Sequence, residues 1–240
     1  MQVETLDADA EAARTRGQIG FVGALVLYGQ LLGYGFWVAL GVVEEKSSRV
    51  VELLLSAIPA RALLAGKVLG IGLLGLVQLL LVAVGGMGVA AATGALTVDS
   101  AVLQPVLVVL AWFVLGYTAY TCLMAAAAAR VSRQEELQNA TTPVSTLAIA
   151  SFLATFYVTA TPEAVLSRVL AVTPPVSALT MPVRSARGDA APWELPLAVG
   201  LMLGLIVVLV VVAGRIYEGA VLRTGSKVAL GEAWRSGRRT

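Results

Sequence analysis

The most regular feature of this chain is a succession of long apolar stretches separated by short polar connections. A helix needs roughly 20 apolar residues to cross the hydrocarbon of a bilayer, and four stretches without a charged residue come close to or exceed that length. A fifth has 17 residues and opens on Pro143, a residue suited to the first turn of a helix. The predicted spans are residues 20–43, 68–92, 105–129, 143–159 and 195–213.

Composition supports a membrane protein. The chain is 58% hydrophobic and 13% charged, whereas an average soluble domain is about 25% charged. Its net charge of +2 is too small to indicate a nucleic-acid partner. The predicted fold class is therefore all-α, a polytopic transmembrane helical bundle of about five spans with an amphipathic helix on the cytoplasmic side.

Few residues are available for chemistry. The chain has no histidine and one cysteine, Cys122, which excludes an intramolecular disulfide, a Cys/His zinc site and histidine-based catalysis. We predict no catalytic or metal-binding residue. The predicted spans hold no Asp, Glu, Lys or Arg, which argues against a proton-coupled transporter. Gln30 and Gln78 each place an amide in an apolar run, and we predict that they line a substrate path.

Glycines recur at four-residue spacing within the spans. Such pairs let membrane helices approach closely, so we expect them at helix–helix contacts. The pairs are Gly29/Gly33, Gly66/Gly70 and Gly200/Gly204.

The distribution of Lys and Arg predicts the orientation. The connection 44–67, the connection 130–133 and the tail 215–240 hold 12 of the 17 basic residues. Placing these regions in the cytoplasm puts the C-terminus inside and residues 1–19 outside. The 160–194 connection is then extracytoplasmic. Residues 164–172 form a predicted short amphipathic helix there, and 176–183 are apolar again, at the outer interface or dipping part-way into the bilayer.

The connection 44–56 has the sequence EEKSSRVVELLLS. On a helix Glu45, Arg49 and Glu52 form a polar stripe, and Glu45 and Arg49 are spaced to pair. The pattern predicts a helix at the water surface on which a soluble partner can act. The alternative is an interfacial helix that only anchors the bundle. The connection 130–139 is a second polar surface on the same side, or only a solvated helix end.

These motifs closely resemble the signature of ABC-2-type permeases, particularly the sodium-efflux and drug-efflux branch. The supporting segments are EEKSSRVVELLLS at 44–56, LAGKVLG at 64–70, SRQEE at 132–136, MPVR at 181–184 and GRIY at 214–217. The resemblance implies a coupling helix that docks into an ATPase. The coupling residues would be Glu44, Glu45, Ser48, Arg49 and Glu52. It also implies a first span and an extracytoplasmic domain before residue 20, of which residues 1–19 resemble the end.

The expected organisation is an extracytoplasmic segment 1–19, a transmembrane permease domain 20–214 and a cytoplasmic basic tail 215–240, in the plasma membrane. Gly66-Lys67 is not a P-loop, because Val68 follows it and no glycine lies at position 61. ATP and Mg²⁺ are therefore expected on a separate nucleotide-binding subunit, and a second permease protomer is expected beside this one. The expected function is the permease subunit of an ABC exporter. The alternatives are a transport-inactive scaffold or regulatory subunit, and a passive channel.

Overall fold

The computed structural model describes residues 2–47, 60–94 and 100–221, and these residues form seven helices. Five are long and two are short. They are α1 (Gln2–Ser47), α2 (Ala60–Ala92), α3 (Ser100–Ala128), α4 (Gln134–Ala160), α5 (Val165–Val172), α6 (Ser177–Arg187) and α7 (Glu194–Val221).

The five predicted spans are confirmed. Each corresponds to a helix long and apolar enough to cross a membrane, and together these make a polytopic helical bundle. The predicted start of the fourth helix at Pro143 is wrong. The helix begins at Gln134, and Pro143 lies inside it. Glu135 and Glu136 occupy its first turn, where a negative charge is favourable at the positive end of the helix dipole. Apolar length alone missed this polar first turn.

The core is built on α1 and α3, which pack along each other and against most other helices. Trp112, Phe113 and Tyr120 of α3 are among the largest fully buried side chains. In contrast, α2 and α7 lie at the periphery and expose most of their apolar side chains. Such an apolar exterior suits contact with hydrocarbon, since lipid tails are as apolar as leucine.

The two short helices lie in the 160–194 connection. The predicted helix at 164–172 is confirmed as α5. The apolar segment after it dips into the bundle as α6, where it packs against α1, α3 and α4. Glycines allow this close approach. A Cβ atom on Gly20 of α1 would lie 2.6 Å from the Cβ of Ala186, and one on Gly116 of α3 would lie 3.0 Å from that of Ala178.

The predicted role of the paired glycines is wrong within this chain. A Cβ added to any of the six would meet no heavy atom of the described residues within 4 Å. The close helix contacts use glycines outside those pairs, as at Gly23, Gly72 and Gly75. Glycines at four-residue spacing produce a helix face without side chains, but the spacing does not determine whether that face contacts another helix.

The bundle has two ends, which we name by their ion pairs. The Arg184 end holds the start of α7 and residues 17–20 of α1. The Glu45 end holds the end of α1 and the starts of α2 and α4. Residues 2–19 continue the helix of the first span. Most of the predicted coupling helix, residues 48–56, and most of the tail, residues 222–240, lie outside the described residues.

Candidate functional site

A polar cluster lies between α1 and α2, and it contains both predicted substrate-path residues. The side-chain amide of Gln30 donates through Nε2 to the carbonyl oxygen of Gly75, at 3.4 Å. The hydroxyl of Tyr34 donates to Oε1 of Gln78. Gln30 and Tyr34 are four residues apart, so both lie on the face of α1 that meets α2. We call Gln30, Tyr34 and Gln78 the amide cluster.

The amide cluster lies near the middle of its spans. The span in α1 covers Arg14–Glu45 and that in α2 covers Ala62–Ala92, so Gln30 and Gln78 are each within two residues of a midpoint. Gln30 is only 8% exposed, whereas Gln78 is exposed beside the similarly exposed Val77. The structure therefore places both amides at the contact between α1 and α2, near the middle of the spans, one buried and one on the outer surface of the chain.

The amide cluster has unused hydrogen-bonding capacity. Oε1 of Gln30 is buried and has no hydrogen-bond partner among the described residues. The amide nitrogen of Gln78 likewise donates to no other residue in the described part of the chain. A polar group in an apolar environment costs roughly 1–3 kcal/mol when it is left unpaired, and no bulk water is available in the hydrocarbon. The site is therefore poised to accept a hydrogen-bonding group.

Two tyrosine hydroxyls on α3 also link helices within the spans. The hydroxyl of Tyr117 on α3 donates to the carbonyl oxygen of Val68 on α2, at 2.8 Å. The hydroxyl oxygens of Tyr120 and Ser151 lie 3.0 Å apart and join α3 to α4. Buried hydrogen bonds of this kind hold membrane helices together.

A charged cluster at the Glu45 end contains two of the predicted coupling residues. Oε1 of Glu45 lies 2.7 Å from Nζ of Lys67, and both side chains are less than one-fifth exposed. The amide of Gln134 donates to Oε1 of Glu44, at 3.3 Å. The Lys67 side chain runs alongside Gly41, where a Cβ would lie 2.5 Å from Nζ. The end of α1 is thus tied to the starts of both α2 and α4.

The remaining predicted coupling residues, Ser48, Arg49 and Glu52, lie outside the described residues. Their predicted role, and the predicted pairing of Glu45 with Arg49, stay predictions. The sequence reasoning did not identify Lys67 and Gln134 as partners of the coupling segment. Gln134 is the first residue of α4, and Lys67 directly precedes the apolar run 68–92; these positions beside apolar runs were the available signal.

The sequence reasoning also missed a buried ion pair at the Arg184 end. The guanidinium of Arg184 donates through Nε and Nη2 to the two carboxylate oxygens of Glu194, at 2.6 and 3.1 Å. Its Nη1 donates to the carbonyl oxygen of Pro162, at 2.6 Å. The side chains of Arg184 and Glu194 are 2% and 0% exposed. The pair joins the end of α6 to the start of α7, and the Pro162 contact adds the segment after α4.

No cluster of three or more His, Cys, Asp and Glu side chains able to hold a metal ion occurs in the described ranges. Cys122, the single cysteine, is buried. Apart from the buried Arg184–Glu194 pair, the polar groups that the described residues offer inside the bundle are amides and hydroxyls, which form hydrogen bonds.

Comparisons with known proteins agree with this architecture. The family model of the ABC-2 family transporter proteins matches residues 2–215. The uncharacterized protein YhaP of Bacillus subtilis (strain 168) is 30% identical over 236 residues, which cover 94% of this chain and 56% of YhaP. The uncharacterized protein MJ1024 of Methanocaldococcus jannaschii is 24% identical over 206 residues, covering 85% of this chain and 49% of MJ1024. No solved structure gives a significant match.

Five apolar helices of membrane-crossing length define the class, a multi-pass helical membrane protein. Within that class the chain belongs to the ABC-2 family of transporter proteins, whose members are membrane permease components of ABC transporters. Such permeases generally work with an ATPase subunit in a membrane complex. The chain spans about half the length of the curated relatives that it matches.

Proposed function

We propose that this chain is the permease subunit of an ABC exporter and that a separate ATPase drives it through the segment at residues 44–56. Membership of the ABC-2 family supports the permease role. The contacts at the Glu45 end support the coupling role, because the segment continues directly from α1, whose last residues contact two other spans.

The orientation that we propose places the Glu45 end in the cytoplasm. Lys67 lies at this end, and Arg130, Arg133 and Arg215 lie close to the helix ends that topology brings there. Basic residues near the ends of spans favour the cytoplasmic side. An ATPase in the cytoplasm would then reach residues 44–56 directly.

Coupling requires that a displacement of this segment reach several helices at once. Glu45 transmits it from α1 to α2 through Lys67, and Glu44 transmits it to α4 through Gln134. Because the end of α1 is linked to α2 and α4, a push would tilt three spans together rather than bend one. The tilt would alter the α1–α2 contact where the amide cluster lies. This would change how far Gln30 and Gln78 are exposed to a substrate moving outward. We propose that the substrate passes beside a second permease protomer.

Exchange of charges in the Glu45–Lys67 pair tests this coupling. Glu45→Lys and Lys67→Glu each place like charges 2.7 Å apart at the present geometry, so each single variant should lower stimulation of the co-purified ATPase. The double variant restores an opposite-charge pair and should recover a substantial part of that stimulation. The measurement is ATP hydrolysis by the complex in proteoliposomes, with membrane insertion checked for every variant.

The matched control is the same exchange in the exposed pair Glu163–Arg168 at the opposite end of the bundle, which should leave ATP hydrolysis unchanged. Normal stimulation in both Glu45→Lys and Lys67→Glu would refute the coupling role. A complex that binds an ATPase but moves no solute on ATP addition would favour a transport-inactive scaffold. To test orientation, a single cysteine at Ser47 in a Cys122→Ala background should react with an impermeant maleimide only from the cytoplasmic side.

A further inference from the structure

Three helices converge on one glycine beside the amide cluster. A Cβ on Gly75 of α2 would lie 2.7 Å from the ring of Phe113 on α3 and 3.0 Å from the ring of Tyr34 on α1. Only a residue without a side chain lets both rings approach the backbone of α2 here. Gly75 therefore marks the closed end of the space between α1, α2 and α3.

From this crossing towards the Arg184 end, a groove of about 540 Å³ separates the three helices. It extends along α1 from Val26 to Thr15 and along α2 from Leu79 to Met87, and α3 completes it. Its walls are mostly apolar, and none of the described residues that line it is ionisable.

The groove is elongated. Val26 lies eleven positions after Thr15, which is about 17 Å of helix at 1.5 Å per residue. The groove is therefore long enough to hold an extended hydrocarbon chain along the helices.

Polar groups lie at both ends of the groove. At the closed end, Gln30 is one helical turn beyond Val26, and Gln78 adjoins Leu79. Among the described residues, Oε1 of Gln30 has no donor and the amide nitrogen of Gln78 has no acceptor. At the other end the lining includes Thr15 and Gln18. A polar closed end with apolar walls is complementary to an amphiphile.

We propose that the groove binds an uncharged amphiphile, with its hydrocarbon chain along α1, α2 and α3 and its hydrogen-bonding head group at Gln30 and Gln78. The head group is uncharged because the described lining offers no counter-ion and a charge in this apolar setting would be costly. This inference rests on the proposed function in one respect only, namely that the bound amphiphile belongs to the class of substrate that the protein exports. Binding itself needs neither nucleotide nor ATPase.

The experiment uses the purified chain in phosphatidylcholine nanodiscs and a diazirine-bearing monoacylglycerol as an uncharged photoreactive probe. After irradiation, mass spectrometry should map saturable labelling to residues 15–26, 79–87 and 102–110. Excess ordinary monoacylglycerol should compete with the probe. The fatty acid of the same chain length should compete poorly, because its carboxylate meets no counter-ion.

Two substitutions on α2 make the test specific to the groove. Ala83→Phe fills the groove and should abolish saturable labelling. Leu81→Phe is the matched control, since Leu81 is 66% exposed and is not among the lining residues, and it should label like the unmodified chain. Gln78→Leu keeps the side-chain size and should weaken binding by roughly 2- to 10-fold, the loss of about one hydrogen bond.

Unsaturable labelling that is equal in Ala83→Phe and Leu81→Phe would overturn the proposal, because it would show bulk lipid in an unspecific groove. Equal competition by the fatty acid would overturn the uncharged class. A high yield of disulfide-linked dimer from Val82→Cys in a Cys122→Ala background would show that a second copy fills the groove, and this too would overturn it. Normal ATPase stimulation in Glu45→Lys and Lys67→Glu, together with saturable photolabelling of the unmodified chain, would refute the proposed coupling and leave this inference standing.

Discussion

Removal of one partner from the Arg184–Glu194 pair should destabilise the protein more than any loss of a surface ion pair. The pair is bidentate and almost completely excluded from solvent. Arg184→Met leaves a buried carboxylate without its counter-ion, and Glu194→Leu leaves a buried guanidinium held only by the Pro162 carbonyl oxygen. Breaking a buried pair from one side costs about 3–5 kcal/mol.

The double variant Arg184→Met, Glu194→Leu should be more stable than either single variant. Replacing both partners with apolar side chains removes the desolvation cost along with the attraction. The carbonyl oxygen of Pro162 still loses its donor, which leaves a cost of about 1–3 kcal/mol. For a chain of this size 1 kcal/mol shifts the melting temperature by roughly 2–4 °C. The single variants should therefore melt roughly 6–20 °C lower than the unmodified protein.

Thermal unfolding in nanodiscs, followed by tryptophan fluorescence, measures these shifts. The matched control is Arg168→Met, which breaks the Arg168–Glu163 pair in the same connection. Those side chains are 45% and 89% exposed, so the loss should stay within about 1 kcal/mol. Single variants at Arg184 or Glu194 that melt like Arg168→Met would refute the reasoning. A double variant less stable than both single variants would also contradict it. That result would show that the attraction between the two side chains outweighs the cost of burying one charge without its partner.

Two further predictions concern packing between the spans. Gly20→Ala should destabilise the protein by about 1–3 kcal/mol through overpacking, because its Cβ would lie 2.6 Å from that of Ala186. The control is Gly29→Ala, where the space is open. Equal melting temperatures of the two variants would contradict the close contact at Gly20. Tyr120→Phe should lower the free energy of unfolding by about 0.5–1.5 kcal/mol, because it loses the hydrogen bond to Ser151. Thermal unfolding measures this change as well. An unchanged melting temperature would show that the hydrogen bond does not contribute to stability.

In the 160–194 connection, the local sequence pattern predicted one short helix but not the position of the other. The helix α5 was predictable because its apolar and polar residues alternate at helical spacing. The sequence left two positions open for α6, at the outer membrane interface or part-way into the bilayer, since an apolar segment of this length suits both. The decision came from Gly20 and Gly116, glycines on two other helices that leave room for it.

The candidate sites show the same division. Gln30 and Gln78 were predicted from sequence because each is a polar residue within a long apolar run, and Glu44 and Glu45 were predicted from the resemblance to ABC-2 permeases. Their partners were not, because Gly75, Lys67 and Gln134 lie 22 to 90 residues away along the chain. Separation in sequence carries no information about which faces of two helices meet.

The sequence by itself determined the number of spans and their approximate positions, because a segment that crosses hydrocarbon must be apolar and must satisfy its own backbone hydrogen bonds. Both requirements act locally. Only the tertiary structure decided which glycines pack closely, that Gln30 and Gln78 both lie at the contact between α1 and α2, and that Arg184 pairs with Glu194. A span that is apolar on every side has no polar stripe to fix its rotation, so the facing of each helix depends on its neighbours.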